Sequence, residues 1–476
     1  MRIRIVLAVL LAVGLQAAVL THADQPVDIG SRLELFVDQF LVAELTGDAK
    51  LKLHRPVPHE VVLVTDKPWE GNTCAYYTIF QDGGLYRMYY RGSHFDEATR
   101  RSSHREVTCY AESRDGIHWT RPELGLFEFD RSRRNNIVWD GVGTHNFTPF
   151  KDTNPSCPPD ARYKALGSGD GRYKHGLYAF QSADGIRWRL MHEEPVITKG
   201  AFDSQNLAFW DEFRGQYVDF HRQFRQGVRD IMTCTSPDFL RWTEPVFLEY
   251  PGAPQEHLYT NAIRPYPRAP HLLIGFPTRF LPHRGEQVEP IFMVSRDGRT
   301  FHRWTEALIP VTAPEDRSGN RSNYMTWGLV QLPGTPHEYS VYATEAYYRG
   351  PHSRLRRFTY RVDGFVSVCS GDQGGQLLTK PLRFSGERLV VNYLTRPQGE
   401  LRVAILDAGG SSVDGFAASD CQPIRGDAIE HVVAWKRGSD VGHLAGKPVR
   451  LRFDLRAADL FSLRFALTSQ TGSKRK

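Results

Sequence analysis

The sequence predicts an all-β chain, a five-bladed β-propeller followed by a C-terminal β-sandwich. A short Asp-centred turn recurs five times along it. Each copy follows alternating, aromatic-rich segments of strand length, and after about residue 371 the pattern changes to more evenly spaced strands.

The turns read SRDGIHW (113–119), SADGIRW (182–188), SPDFLRW (236–242), SRDGRTF (295–301) and a degenerate RVDGF (361–365). Their aspartates, at 115, 184, 238, 297 and 363, stand 69, 54, 59 and 66 residues apart. An Asp-Gly pair between apolar runs is a strong hairpin signal, because glycine takes positive φ and the aspartate bonds the turn backbone. Repeats of this period point to sheet blades around an axis. The strand preceding each turn is predicted at 107–112, 176–181, 229–235, 290–294 and 354–360, and an aromatic strand before it at 85–90, 162–166, 216–220, 271–276 and 339–344. The strand that opens each unit is predicted at 74–80, 146–150, 207–210, 259–263 and 325–332. Beyond residue 371, runs at 389–393, 401–406, 431–433, 449–453 and 460–465 fit an appended sandwich.

The ends of the chain have their own character. Arg2 and Arg4 precede an apolar run from 5 to 20 and a small-residue exit at 21–23, the pattern of a secretory signal. The run is shorter than the roughly 20 residues a spanning helix needs. The expected organisation is a signal peptide at 1–23, a lead-in at 24–59, the propeller at 60–370, the sandwich at 371–467 and a basic tail at 468–476. The expected compartment is secreted or periplasmic. Lys and Arg number 60 against 54 Asp and Glu, a net +6, and five of those positive charges lie in the leader and the last three residues. A near-neutral body excludes a basic nucleic-acid binder, and no membrane association is expected once the signal is removed. The six cysteines show no metal-ligand spacing; Cys369 with Cys421, or Cys74 with Cys109, are candidate disulfides.

In a propeller, residues just before an inner strand and those ending the next antiparallel strand crowd one mouth of the central funnel. Polar residues at those positions are Glu70, Asn72 and Arg91 in the first unit and His145, Asn146, Asp152 and Asn154 in the second. The third offers Asp203, Gln205, Asn206, His221 and Arg222, and the fourth Glu256, His257, Asn261 and Arg279. The fifth offers Arg321, Asn323, Tyr324, Glu345, Tyr347 and Tyr348. Paired carboxylates among aromatics are what glycoside hydrolysis requires, one acid protonating the leaving oxygen while a carboxylate attacks or activates water. Nearby Arg91, Arg222 or Arg279 would keep one carboxylate ionised, and an apolar wall would raise another.

These features resemble the secreted five-bladed propeller glycosidases, the invertase/fructosidase and arabinanase/xylosidase group, over about residues 60–370, with the C-terminal sandwich in the place of that group's accessory domain. The resemblance implies an exported glycoside hydrolase acting on a polysaccharide or its oligosaccharides. It places the acidic residues at Glu70 (in WEGN, 69–72), Asp152 (in FKDTNP, 150–155) and Asp203 (in FDSQN, 202–206), with Glu256 and Glu345 in reserve for the acid role. Each of these segments departs from the group's signatures, so a non-catalytic carbohydrate-binding propeller is the alternative. Substrate-binding candidates are Asn72, Arg91, His145, Asn146, Asn206, His221, Arg222, His257, Arg279, Arg321, Asn323 and Glu345. No cofactor or catalytic metal is expected; a structural calcium ion is compatible with the fold but has no ligand motif behind it. The expected partner is a carbohydrate, and the expected state a monomer or small homo-oligomer.

Overall fold

The computed structural model describes residues 25–169, 171–309 and 322–468. The expected signal peptide, Arg321 and nearly all of the basic tail lie outside them. Among the described residues the chain is all-β, with only single-turn 3-10 segments besides strands.

Successive stretches of chain build small antiparallel sheets. The first runs Ala75–Asp82, Leu85–Gly92, Val107–Ser113, Ile137–Trp139, each strand pairing with the next. The second runs Thr148–Lys151, Tyr163–Gly169, Gly176–Ser182, Arg189–Leu190, and the third Leu207–Asp211, Gln216–Arg225, Val228–Ser236, Val246–Phe247. The fourth comprises Arg264–Tyr266, Ala269–Gly275, Met293–Ser295 and Phe301–Arg303, with His257–Leu258, Thr278–Leu281 and Gln287–Pro290 in a companion sheet. In the fifth, Glu338–Glu345 and Arg354–Arg361 are joined by Val57–Val64 from near the start of the chain. Isolated bridges from Met325 and Val330 to Ala343 and Ser340 add an inner edge.

The repeated turns are built by their own side chains. Ser113 Oγ accepts from the Gly116 amide at 2.8 Å, and Asp115 Oδ1 accepts from the amides of Ile117 and His118, both at 2.8 Å. The copies at Ser182/Asp184, Ser236/Asp238 and Ser295/Asp297 repeat this pattern. The residue after the aspartate is left-handed in all four, with φ of 72°, 77° and 84° at Gly116, Gly185 and Gly298. The third copy puts Phe239 there at φ 70°, a strain of about 1 kcal/mol for a residue with a Cβ. Its fully buried ring compensates by packing on Phe150 and Tyr217.

The turns also join one sheet to the next. Tyr342 of the fifth sheet donates to the Gly116 carbonyl in the turn of the first, at 2.8 Å. Tyr89 of the first donates to Gly185 O in the second, at 2.8 Å. Phe150 of the second meets Phe239 in the third, and Arg214 of the third donates to Arg296 O in the fourth. The degenerate fifth copy departs from the pattern. Asp363 is fully buried and accepts from Tyr266 of the fourth sheet, Arg268, Asn392 and Ser462.

Asn392 and Ser462 belong to a ten-stranded sheet that packs its own apolar core. Two long strands dominate it, Arg388–Asp407 and Val449–Ala466. They merge what reads in the sequence as four separate strands: the register shifts at Asn392/Tyr393 and Thr395/Glu400 let each bend and continue. Residues 27–53, expected as a lead-in, supply four further strands to this sheet, and the next strand, Val57–Val64, crosses to the fifth small sheet. All six cysteines are free thiols, so neither candidate disulfide forms.

Candidate functional site

Four of the residues singled out in the sequence gather at the ends of the inner strands: Arg91, His145, Asp203 and Arg222. Arg91 closes the second strand of the first sheet, and Arg222 lies far along the corresponding strand of the third. His145 and Asp203 stand just before the inner strands Thr148–Lys151 and Leu207–Asp211. Antiparallel pairing brings the start of an inner strand beside the end of its neighbour, so charges distant in sequence meet at one rim.

His145 is the hub. Its Nδ1 lies 2.9 Å from Glu106 Oε2 and its Nε2 3.0 Å from Asp203 Oδ1. A carboxylate on both sides requires both ring nitrogens to donate, so the ring is an imidazolium. Burial and the nearby Arg91 guanidinium oppose that charge, but the bonds to Asp203 and Glu106 outweigh them and raise the His145 pKa. The same bond holds the Asp203 carboxyl well below the ordinary range, with Arg222 at 3.7 Å adding to the shift. Glu106 is lowered too: burial works against its charge, while His145 and Arg91 favour it. Arg91 spans the group, with Nη1 3.2 and 3.3 Å from the two ring nitrogens of His145 and Nη2 donating to Thr73 O and to the Tyr347 hydroxyl. Two carboxylates against one imidazolium and two guanidiniums leave one excess positive charge.

Asp203 is the exposed member, its side chain 65% accessible, whereas those of Arg91 and Arg222 are 5% and 6%. It borders a cleft of about 530 Å³, shared with His145, Tyr173, His175, Phe202 and Arg222. Its loop is held from beneath. Asn146 donates to the carbonyls on either side of Asp203, Phe202 O at 2.6 Å and Ser204 O at 2.7 Å, and Asn206 donates to the same two at 3.0 Å. Both amides are fully buried. Asn146 and Asn206, read in the sequence as contacts to substrate, are therefore placed to fix the carboxylate that faces the cleft.

Aromatic rings complete the rim. Tyr76 donates to Asp203 at 3.3 Å and lies under Arg91, whose guanidinium carbon is 4.9 Å from the ring centre. It sits in a register shift between Ala75 and Thr78 and is left-handed, φ 56°. That bulge turns the ring toward the charges. Ala262, Ala346 and Tyr348 are left-handed at the same end of the sheets, and such strain concentrates where geometry is held for a purpose. Tyr259 lies under Arg222 and edges Tyr324, which in turn meets Tyr347.

The structure places the other candidates elsewhere. Glu70 is buried, bonded by Tyr90 at 2.5 Å, Arg121 Nε at 2.9 Å and the Lys67 amide at 3.1 Å. Burial raises its pKa against the pull of Arg121. Asp152 corrects the expectation most directly. It follows the end of Thr148–Lys151, at the far end of the inner strand from His145, where Lys164 and Tyr217 bind it. Glu256 is committed to Arg279 at 2.9 Å and Arg303 at 3.1 Å, and Arg279 also binds Glu289. Glu345 is buried against Arg356 and Arg354. None of these carboxylates shares a bond with Asp203 among the described residues. Asn72 ties Phe95 to Gly350 O, His257 accepts from the Arg229 amide, and Asn323 is buried. Arg321 is outside the described residues.

His221 is fully buried, 2.5 Å from Asp219 and 2.9 Å from Lys199 O, and its ring packs on Phe202. With Cys234, Asp219 and His221 form, among the described residues, a group whose donor atoms, all within 4.8 Å of one another, could hold an ion. Its nitrogen and sulfur donors do not suit calcium, which takes oxygen ligands.

The sequence reading missed Glu106 and Tyr76. Glu106 was within reach, since it precedes the strand Val107–Ser113, which runs antiparallel to Leu85–Gly92, the strand that carries Arg91. Tyr76 carries no sequence signal for its left-handed bulge.

No protein-family model matches the chain. Two curated proteins of Mycobacterium tuberculosis, the uncharacterized proteins MT1551 and Rv1502, are each 31% identical over 145 residues, 29% of this chain and 41% of theirs. The match thus spans about two fifths of those relatives' length. Structural neighbours are glycoside hydrolases and phosphorylases of propeller type. Beta-1,2-mannobiose phosphorylase from Listeria innocua is 12% identical, with a TM-score of 0.47, covering 64% of this chain and 97% of that one. A Bombyx mori beta-fructofuranosidase is 10% identical, with a TM-score of 0.42, covering 87% and 94%. An endo-arabinase from Bacteroides thetaiotaomicron is 9% identical, with a TM-score of 0.41, covering 62% and 96%. Likeness at this level fixes neither reaction nor substrate, which must be read from the site.

Proposed function

We propose that the chain is an exported glycoside hydrolase that cleaves a polysaccharide or its oligosaccharides in the cleft beside Asp203. One observation carries this reading: an exposed carboxylate, held ionised, touches a histidine held protonated at the edge of an open cleft. The ionised Asp203 stabilises positive charge developing at the sugar, directly or by activating water. The His145 imidazolium is the proton donor in contact with it and serves the leaving oxygen. Tyr173 and Phe202, which line the cleft, offer rings for sugar C–H patches. Arg91 fixes the hub.

The cycle of contacts from the fifth sheet to the first and on to the fourth, closed by Tyr266 on Asp363, supports five blades of one propeller. The ten-stranded sheet is then its accessory sandwich. The leader-like residues 1–23 support export.

A second reading, a carbohydrate-binding module without turnover, is favoured by one feature. The carboxyls on His145 are both lowered, while Glu70, Asp219 and Asp230, which are raised, are all buried. A glycan panel separates the two. Release of reducing ends by the wild type, abolished in Asp203→Asn and His145→Gln proteins that still melt cooperatively, supports hydrolysis. Saturable glycan binding with no release supports the module, and neither result on any glycan defeats both.

A further inference from the structure

We propose that the opposite end of the inner strands carries a second ligand site, for a small organic anion with a flat aromatic body whose carboxylate pairs with Arg264. A cavity of about 550 Å³ opens there, within the usual range for small-molecule sites. All five small sheets contribute to it, through Phe80, Phe150, Phe209, Arg264 and Trp327 among others. It is separate from the Asp203 cleft. Between the two, Gln205 donates to Tyr77 O at 3.1 Å and to Thr78 Oγ1 at 3.3 Å, and a parallel bridge joins Thr78 to Trp327.

The charge balance of this cavity is unlike that of the cleft. Among the described residues nothing hydrogen-bonds or ion-pairs with the Arg264 guanidinium, and its buried Nε has no partner. Burial pulls its pKa down to about 10, so it stays charged at neutral pH. Two other ionic side chains line the cavity. Lys151 is already paired with Asp82 at 2.8 Å, and Glu212 is exposed and makes no ion pair with Arg264. An unpaired cation among rings costs stability unless an anion meets it, and a carboxylate matches the guanidinium fork. Trp210, Trp327 and Tyr339 supply rings for an aromatic body.

The test uses trans-cinnamate and its neutral isostere cinnamamide on the purified chain, followed by calorimetry and tryptophan fluorescence. Cinnamate is expected to bind one to one, at least about tenfold more tightly than cinnamamide. Arg264→Gln should weaken cinnamate to the level of cinnamamide and leave cinnamamide unchanged, and Asp203→Asn should alter neither. Should Arg264→Gln fail to fold, Thr153→Trp at the exposed rim is expected to block both ligands. Equal binding of acid and amide, an unchanged preference in Arg264→Gln, cinnamate binding unaffected by Thr153→Trp, loss of binding in Asp203→Asn, or no saturation by about 10 mM cinnamate would overturn the proposal.

Discussion

The two ends of the inner strands solve the same problem in opposite ways. Where the strands begin, five charges lie within contact of one another and each has a counter-charge: Asp203 and Glu106 on His145, Arg91 on Glu106, Arg222 on Asp203. Where they end, aromatic rings surround one guanidinium that no carboxylate among the described residues answers. Compensated charge can be held in place for chemistry, because each group's ionisation is fixed by a neighbour. An uncompensated charge in an apolar wall is a cost the fold carries. Substitutions that remove one charge should therefore act differently at the two ends.

The largest effect is expected from Asp203→Asn. Its side chain is mostly exposed, so the melting temperature should hardly move, while hydrolysis falls by about 10³-fold, the scale of a lost acid–base or charge-stabilising group. A large loss of stability instead would make Asp203 a structural residue. Glu70→Gln should do the reverse. It leaves Arg121 with only the half-exposed Asp66 as counter-charge among the described residues and is expected to cost about 3 kcal/mol in denaturant unfolding, with turnover per folded molecule retained. Turnover lost with the fold intact would promote Glu70 to the acid. The hub should also print itself on pH. The raised pKa of His145 contributes stability below about pH 6.5 that fades as pH rises through the folded value. Asp203 and Glu106 contribute above about pH 4 to 4.5 and fade in acid. The difference in stability between wild type and His145→Gln should thus peak between those limits and shrink as pH rises through the folded value of His145. With Asp203 so exposed, its height is about 1 kcal/mol at most. Arg264→Met is the smallest change: stability unchanged, or raised by less than about 1 kcal/mol, because an unpaired cation is replaced by an apolar chain. A clear loss would mean that Arg264 has a structural partner, and the contrast between the ends would fail.

Several of these residues could be found without coordinates. His145 and Asp203 stand just before predicted inner strands, and Arg91 and Arg222 lie late in the strands that pair with their units, so strand polarity alone sends them to one rim. Asp152 follows the end of its strand, so the polarity rule sends it to the other rim. Glu70 and Glu256 satisfy the rule and still face their own arginines, because a side chain's direction depends on neighbours the local sequence does not contain. Asn146 and Asn206 read as functional in the sequence, yet their buried amides bond the loop backbone instead of facing the cleft. The first strands, 27–53, gave no sign that their partners lie more than three hundred residues away.

The sequence by itself determined the repeated turn and the order of units. Those rest on contacts between residues two or three apart, such as Asp115 with the amides of Ile117 and His118. Only the tertiary structure decided which carboxylate stands in the open, which histidine is protonated and which arginine lacks a partner. His145 meets Glu106 and Asp203 across 39 and 58 residues, and a group's ionisation is set by what packs against it, however far away that neighbour lies in the chain.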